Sequence, residues 1–288
     1  MRNAFFKGHG LGNDYLVLDP DELDFRLTPA RVRRLCDRHT GVGGDGVLEL
    51  APSRRADFGL RIWNPDGSEA EKSGNGLRIF ARWLHATRRV RRTSFRVETK
   101  GGVVGITLEL DEHGDASAAS VAIGRASFRP EDLPCSLDVP ELVDQPIRVG
   151  SRSLLFTGVS LGNPHCVVFR SKDRDVTHRE LVELGSQLET HHIFPRFTNV
   201  QLVVPRTSHR LAAWIWERGA GVTESSGSSA CAVACAAVKK GIAKSPVRID
   251  MPGGALHVEV GKDYEVTLAG PVEEVARGQL AESWVRGL

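Results

Sequence analysis

The chain has 288 residues, 38 Lys+Arg against 36 Asp+Glu, 41% hydrophobic and 6% aromatic residues, a balance that excludes disordered, fibrous and stapled miniature classes. At roughly 100–200 residues per domain, this length predicts two domains. A formal charge of +2 gives no long-range pull toward nucleic acid or an anionic membrane, and no stretch approaches the ~20 apolar residues of a membrane span, so a small ligand and a cytoplasmic location are expected.

In chain order, alternating apolar residues predict a strand at 16–18, then a helix over 28–38 with Thr28 as cap and Pro29 in the first turn. A strand at 58–63 leads through the turn-rich Asn64-Pro65-Asp66-Gly67-Ser68 to Ser73-Gly74-Asn75-Gly76, and residues 77–84 carry a helical apolar pattern. The basic run at 88–92 follows that helix and is read as a solvated helix end, where cations suit the dipole. Strands at 97–99 and 103–108 flank a Gly101-Gly102 turn, and two α/β halves are expected to join near residues 117–126. The second half continues with a strand at 166–169, a helix over 177–188, and strands at 200–204 and 211–216. A loop at 217–221, a small-residue buried helix at 230–238 and a strand at 256–260 after Gly253-Gly254 complete it. The five cysteines, Cys36, Cys135, Cys166, Cys231 and Cys235, are odd in number and irregular in spacing, as in a reducing compartment. Cys231 and Cys235 have helical same-face spacing rather than that of a zinc knuckle, so no metal is expected.

Self-comparison reveals a duplication. Leu11-Gly12-Asn13-Asp14 returns as Leu161-Gly162-Asn163-Pro164 at an offset of 150 residues, while Glu71-Lys72-Ser73-Gly74 returns as Glu224-Ser225-Ser226-Gly227 at 153. Ile62-Trp63-Asn64 returns as Ile215-Trp216-Glu217, also at 153. A Ser-Gly segment entering a helix gathers unpaired backbone N–H groups and the positive end of the helix dipole, which suits an anion. The duplication supplies two such points. With the halves facing each other across a pseudo-twofold axis, Ser73 and Ser226 would flank one small ligand, with a proton removed from one face of a carbon and another returned to the opposite face. Asn13, Asn64, Asn163 and Asn199 each lie beside Gly, Pro or Thr. One such Asn reads as turn shaping. Four at repeat-related positions, with Glu217 and Arg218, read as a site for a zwitterionic amino acid.

These segments resemble the cofactor-independent diaminopimelate epimerases. The resemblance rests on Lys7-Gly8-His9-Gly10-Leu11-Gly12-Asn13-Asp14, Gly41-Val42-Gly43-Gly44-Asp45-Gly46, Asn64-Pro65-Asp66-Gly67-Ser68, Gly74-Asn75-Gly76, Gly162-Asn163-Pro164-His165, Asn199-Val200 and Glu217-Arg218-Gly219-Ala220-Gly221, in the family's order and over nearly the whole chain. It implies an α/β (α+β) fold of two pseudo-symmetric domains, each a curved sheet around a central helix: residues 1–120, completed by the C-terminal segment 272–288, and residues 121–271. It also implies an active site in the cleft between the halves, neither pyridoxal phosphate nor another cofactor, no metal, a small amino-acid substrate of lysine and cell-wall precursor synthesis, and compatibility with a homodimer. By motif matching, the acid/base positions fall on Ser73 and Ser226. Substrate binding falls on Asn13, Asn64, Asn163, Asn199, Glu217 and Arg218, and the backbone of Gly74, Asn75, Gly227 and Ser228 would hold the α-carboxylate.

The family has cysteine at both acid/base positions. A thiol titrates near ~8.5 and lower at a helix N-terminus, whereas a serine hydroxyl is far less acidic and needs a neighbouring base. Either both cysteines were deliberately exchanged to trap an inactive form, or the chain is a natural branch using another base or reaction. Val222, Glu224, Ser225 and Ser229 also depart from the family pattern, which favours the natural branch. Lys72 and Glu224 are the candidate replacement bases, although solvated loop residues are the simpler reading of both. His9 and His165 read first as structural hydrogen-bonding groups, and Cys166 as a small buried apolar residue. Two further readings remain: a lyase or double-bond isomerase on the same scaffold, and a catalytically impaired amino-acid binder.

Overall fold

A computed structural model describes residues 2–288. The chain forms β1 (Ala4–Gly10), β2 (Asn13–Leu18), α1 (Pro29–Cys36), β3 (Val47–Ala51), β4 (Phe58–Trp63), β5 (Glu69–Ala70), α2 (Gly74–Ala86), β6 (Ser94–Thr99), β7 (Gly102–Leu110) and β8 (Ala116–Arg125). It continues with β9 (Gln145–Val149), β10 (Arg152–Ser160), β11 (Pro164–Phe169), α3 (His178–Glu189), β12 (Asn199–Thr207), β13 (Arg210–Glu217), β14 (Gly221–Thr223) and α4 (Gly227–Lys239). The last elements are β15 (Val247–Met251), β16 (Gly254–Val260), β17 (Glu265–Pro271), β18 (Glu273–Gln279) and α5 (Glu282–Val285). Two compact units result, one running to Ala122 and taking back Ala269–Leu288, the other spanning Ile123–Leu268.

The duplication extends to the topology. In the first unit β1 and β2 pair antiparallel, β2 and β3 parallel across α1, and β3 and β4 antiparallel. Next, β4 pairs antiparallel with β5 and parallel with β6, and β6 and β7 form a hairpin. The second unit repeats every direction: β10 and β11 antiparallel, β11 and β12 parallel across α3, and β12 and β13 antiparallel. There β13 pairs antiparallel with β14 and parallel with β15, and β15 and β16 form a hairpin. Both helix-carrying crossovers of each half therefore recur, which three short sequence matches alone only hint at.

Each sheet wraps one central helix. α2 lies against β1, β2, β7 and β18, and its Leu77, Ile79, Phe80, Ala81 and Leu84 are fully buried. Burying a Leu, Ile or Phe contributes roughly 1.5–3 kcal/mol each. α4 lies against β10, β11, β12, β15 and β16, and every residue from Ala230 to Ala237 is fully buried. A helix enclosed on all sides must be apolar all round, and its Ala, Cys and Val side chains are small enough for strands to close over it.

The helices begin where periodicity alone does not reach. α2 starts at Gly74 and α4 at Gly227, three residues before the apolar patterns at 77 and 230, because small and polar residues fill both first turns. α1 takes Thr28 as cap and ends at Cys36 rather than 38, since Asp37 turns extended (φ −60°, ψ 124°). The expected join near 117–126 is a strand, β8. The Gly101-Gly102 and Gly253-Gly254 turns close the β6/β7 and β15/β16 hairpins. In the basic run, Arg89 pairs with Asp19 and Glu22, and Arg92 with Asp57, as surface helix-end cations do. Among the described residues no helix is long and apolar enough to cross a membrane.

Candidate active site

The two serines are the N-caps of the two central helices, with nearly the same backbone: φ −142°, ψ 117° at Ser73 and φ −145°, ψ 121° at Ser226. Both starts leave first-turn N–H groups facing outward along the helix axis. Their side chains differ. Ser73 Oγ accepts from the Gly76 N–H at 3.0 Å, an ordinary cap, and lies 3.3 Å from the Tyr15 hydroxyl. The Tyr15 ring reaches this point because residue 46 is glycine: a Cβ there would stand 2.6 Å from the ring.

Ser226 forms no side-chain cap. Burial pushes the Glu217 carboxyl above its ordinary value, and the neighbouring Ser226 hydroxyl offsets part of that rise. Asn64, the repeat partner of Glu217, turns inward on its own loop, donating from Nδ2 to Ser68 Oγ at 2.9 Å around Gly67 (φ +85°). The two halves thus place like backbones beside unlike chemistry.

Behind each helix start runs a buried polar chain. In the first unit the fully buried Arg78 donates to Asn75 Oδ1 at 2.6 Å, to the Gly74 carbonyl at 3.3 Å and to the Pro271 carbonyl at 3.3 Å. Asn75 Nδ2 donates to Asn13 Oδ1 at 3.1 Å, and Asn13 Nδ2 to Asp45 at 2.9 Å. Asp14 closes this network with Lys7 and Arg38; burial raises its pKa, but the two cations outweigh burial and hold it below the usual range. Gly10 makes room for the guanidinium, since a Cβ there would stand 2.7 Å from Arg78 Nη2.

In the second unit the chain is neutral. His165 Nε2 lies 3.0 Å from Asn163 Oδ1, and Gln201 Nε2 donates to His165 Nδ1 at 3.0 Å and to Ser229 Oγ at 3.0 Å. An acceptor at Nε2 and a donor at Nδ1 assign the neutral tautomer protonated on Nε2. Complete burial, with the Arg218 charge adding to it, pushes His165 down to about 3. Asn163 Nδ2 in turn approaches Ser228 Oγ at 3.5 Å.

The Glu217-Arg218 turn is fastened from two sides. Glu189 accepts from Trp216 Nε1 at 2.6 Å and from the Gly219 N–H at 2.7 Å, while Asn199 Oδ1 accepts the Arg218 N–H at 3.0 Å. Asn199 Nδ2 donates to the Pro164 carbonyl at 2.9 Å. The Arg218 side chain reaches the Arg196 carbonyl at 3.1 Å and is exposed.

The first unit therefore gathers Asn13, Ser73, Gly74 and Asn75, with Asn64 held in its separate turn. The second joins Asn163 to Ser228 and links Asn199 to Arg218, with the Glu217 carboxyl influenced by the Ser226 hydroxyl. Lys72 and Glu224 are exposed. His9 Nδ1 accepts the Gly12 N–H at 3.4 Å. Cys166 is fully buried with its thiol pushed up by burial, and Cys235 is pushed up to about 12 for the same reason, so neither is poised as a nucleophile. Sequence reasoning missed Tyr15, Arg78, Gln201 and Glu189. Arg78 alone left a signal, as a cation within the apolar run of α2.

A sheet-wrapped helix in each of two like halves defines a class of racemase- and epimerase-like folds. A hydroxyproline epimerase from Agrobacterium vitis superposes with a TM-score of 0.67 at 15% identity over 96% of this chain and 90% of its own. A probable proline racemase from Agrobacterium radiobacter gives 0.69 at 13% identity over 97% and 93%. At those identities the likeness is one of fold. The sequence goes further. The diaminopimelate epimerase family profile matches residues 5–128 and 157–275. Diaminopimelate epimerase 2 of Nostoc sp. is 40% identical over 96% of this chain and 95% of its own, and the diaminopimelate epimerase of Desulfitobacterium hafniense 39% identical over 96% and 97%. The chain belongs to the diaminopimelate epimerase family.

Proposed function

We propose that this protein inverts an α-carbon of diaminopimelate, in the cytoplasm, with Ser73 and Ser226 at the two proton-transfer positions. The observation that carries this reading is the pair of helix starts with matching backbone, in a chain whose curated relatives near 40% identity are diaminopimelate epimerases. The first-turn N–H groups of Gly74 and Asn75, and of Gly227 and Ser228, are donors for the substrate α-carboxylate. Fixed dipoles there would stabilise the charge that develops when the α-proton leaves. Asn13, Asn64, Asn163, Asn199, Glu217 and Arg218 are assigned to substrate recognition. The same relatives favour epimerisation over the lyase, double-bond isomerase and binder readings.

The test is to incubate the protein with each epimer of diaminopimelate in D2O. NMR should record α-proton loss, and chiral separation should record interconversion without change of absorbance. Absence of both exchange and inversion in the wild-type protein would overturn the reading. A product of altered absorbance, or of a mass not explained by deuterium, would replace it with the lyase or isomerase.

A further inference from the structure

We propose that the second unit carries an anion site for a small phosphate-bearing ligand, sharing no residue with the starts of α2 and α4 and independent of the epimerase reading. Beside the first turns of α3 lies a cavity of about 380 Å³, within the size range of small-molecule sites. It is lined by Arg152 at the start of β10, by Arg170 and Arg174 of the segment joining β11 to α3, and by Arg179, Glu180 and Glu183 of α3. Most ligand pockets are lined by apolar side chains, and one walled by guanidinium and carboxylate groups selects an ionic ligand.

The charges around the cavity do not balance. Glu180 is buried between two guanidiniums, Arg170 Nη2 donating to its Oε1 at 2.6 Å and Arg174 Nη2 to its Oε2 at 3.0 Å. Arg152 pairs with Glu183 at 3.1 Å, and Arg179, which is exposed, forms no ion pair among the described residues. Four guanidiniums thus face two carboxylates, leaving two positive charges in excess. The nearby carboxylates of the loop are turned elsewhere, Asp173 to the Ser171 hydroxyl and Asp175 to Arg206. Cations gathered without matching anions repel one another, and an anion held among them removes that repulsion. Because Glu180 already holds two of the guanidiniums in place, less side-chain freedom is left to lose when a ligand is bound.

This lining is not a consequence of the fold. The corresponding β2-to-α1 loop of the first unit borders a cavity of its own, lined by Leu23, Phe25 and Leu27, where two arginines are matched by Asp24 and Glu49. The excess positive charge therefore belongs to the second unit alone. A phosphoryl group carries about −1.5 to −2 charge and three acceptor oxygens, which suits guanidiniums brought from three chain segments. A planar carboxylate is satisfied by a single fork. With no nucleophile or histidine on its walls, the cavity binds without chemistry.

The experiment is calorimetric titration of the full chain with pyrophosphate at a fixed ionic strength of about 0.15 M, with malonate as the dicarboxylate control. Pyrophosphate should bind one to one with Kd below about 1 mM, and malonate at least about tenfold more weakly. Arg152→Gln and Arg179→Gln spare both partners of the buried Glu180, and together they should weaken pyrophosphate by about tenfold or more. Arg91→Gln, in the exposed basic run of the first unit, should leave Kd unchanged. Absence of binding, an undiminished affinity in the double variant, or an equal loss in Arg91→Gln would overturn the site. Malonate binding as tightly as pyrophosphate would overturn its assignment to phosphate.

Discussion

The starts of α2 and α4 descend from one duplicated element, and their backbones still coincide within a few degrees, yet their serines have parted. Ser73 secures its helix, accepting the Gly76 N–H, and touches a phenol. Ser226 makes no side-chain cap, and the group its hydroxyl influences is the Glu217 carboxyl. The chains behind them differ in kind: a buried guanidinium orients Asn75 and Asn13 in the first unit, and a neutral His165–Gln201 pair orients Asn163 in the second. Duplication preserved geometry, and later substitution divided the chemistry.

The contrast breaks most strongly at Arg78. Arg78→Met would leave Asn75 Oδ1 and the Gly74 and Pro271 carbonyls without this donor inside the first unit. At about 1–3 kcal/mol per abandoned group, the loss should reach about 4 kcal/mol in urea unfolding, with activity falling alongside. Gly10→Ala attacks the same guanidinium sterically and should cost about 2 kcal/mol, because the new methyl stands 2.7 Å from Arg78 Nη2.

The neutral chain is tested by pH. Folded His165 titrates at about 3, below the ordinary 6.5, so between those values the unfolded chain binds the extra proton. The stability contribution is whole above pH 6.5 and lost as pH falls through the window, by at most about 1.4 kcal/mol per pH unit. Unfolding curves should therefore be steeper in pH for the wild type than for His165→Gln. The smallest effect separates the caps. Ser73→Ala should destabilise by about 1 kcal/mol, and Ser226→Ala by only a few tenths, since no cap is lost there.

Much of this is legible in the sequence. The offsets near 150 residues announced the duplication, and the strand at 58–63 and the helix capped by Thr177 follow from local rules that survive packing. Short or polar-edged elements escaped. The two-residue β5 has no periodicity to detect, and the first turns of α2 and α4 are built of Gly, Ser and Asn, which read as loop. The serines and asparagines stood out by repetition and motif. Tyr15, Gln201 and Glu189 did not, because their roles come from side chains that meet only after strands and helices distant in sequence have packed.

The most direct measurement of the account is α-proton exchange in D2O, started from each epimer of diaminopimelate with Ser73→Ala and Ser226→Ala. If the helix starts serve opposite directions of proton removal, each variant should stop exchange from one epimer and spare the other, in complementary fashion, while inversion stops in both. Loss of exchange from the same epimer in the two variants, or exchange unaffected by either, would contradict it.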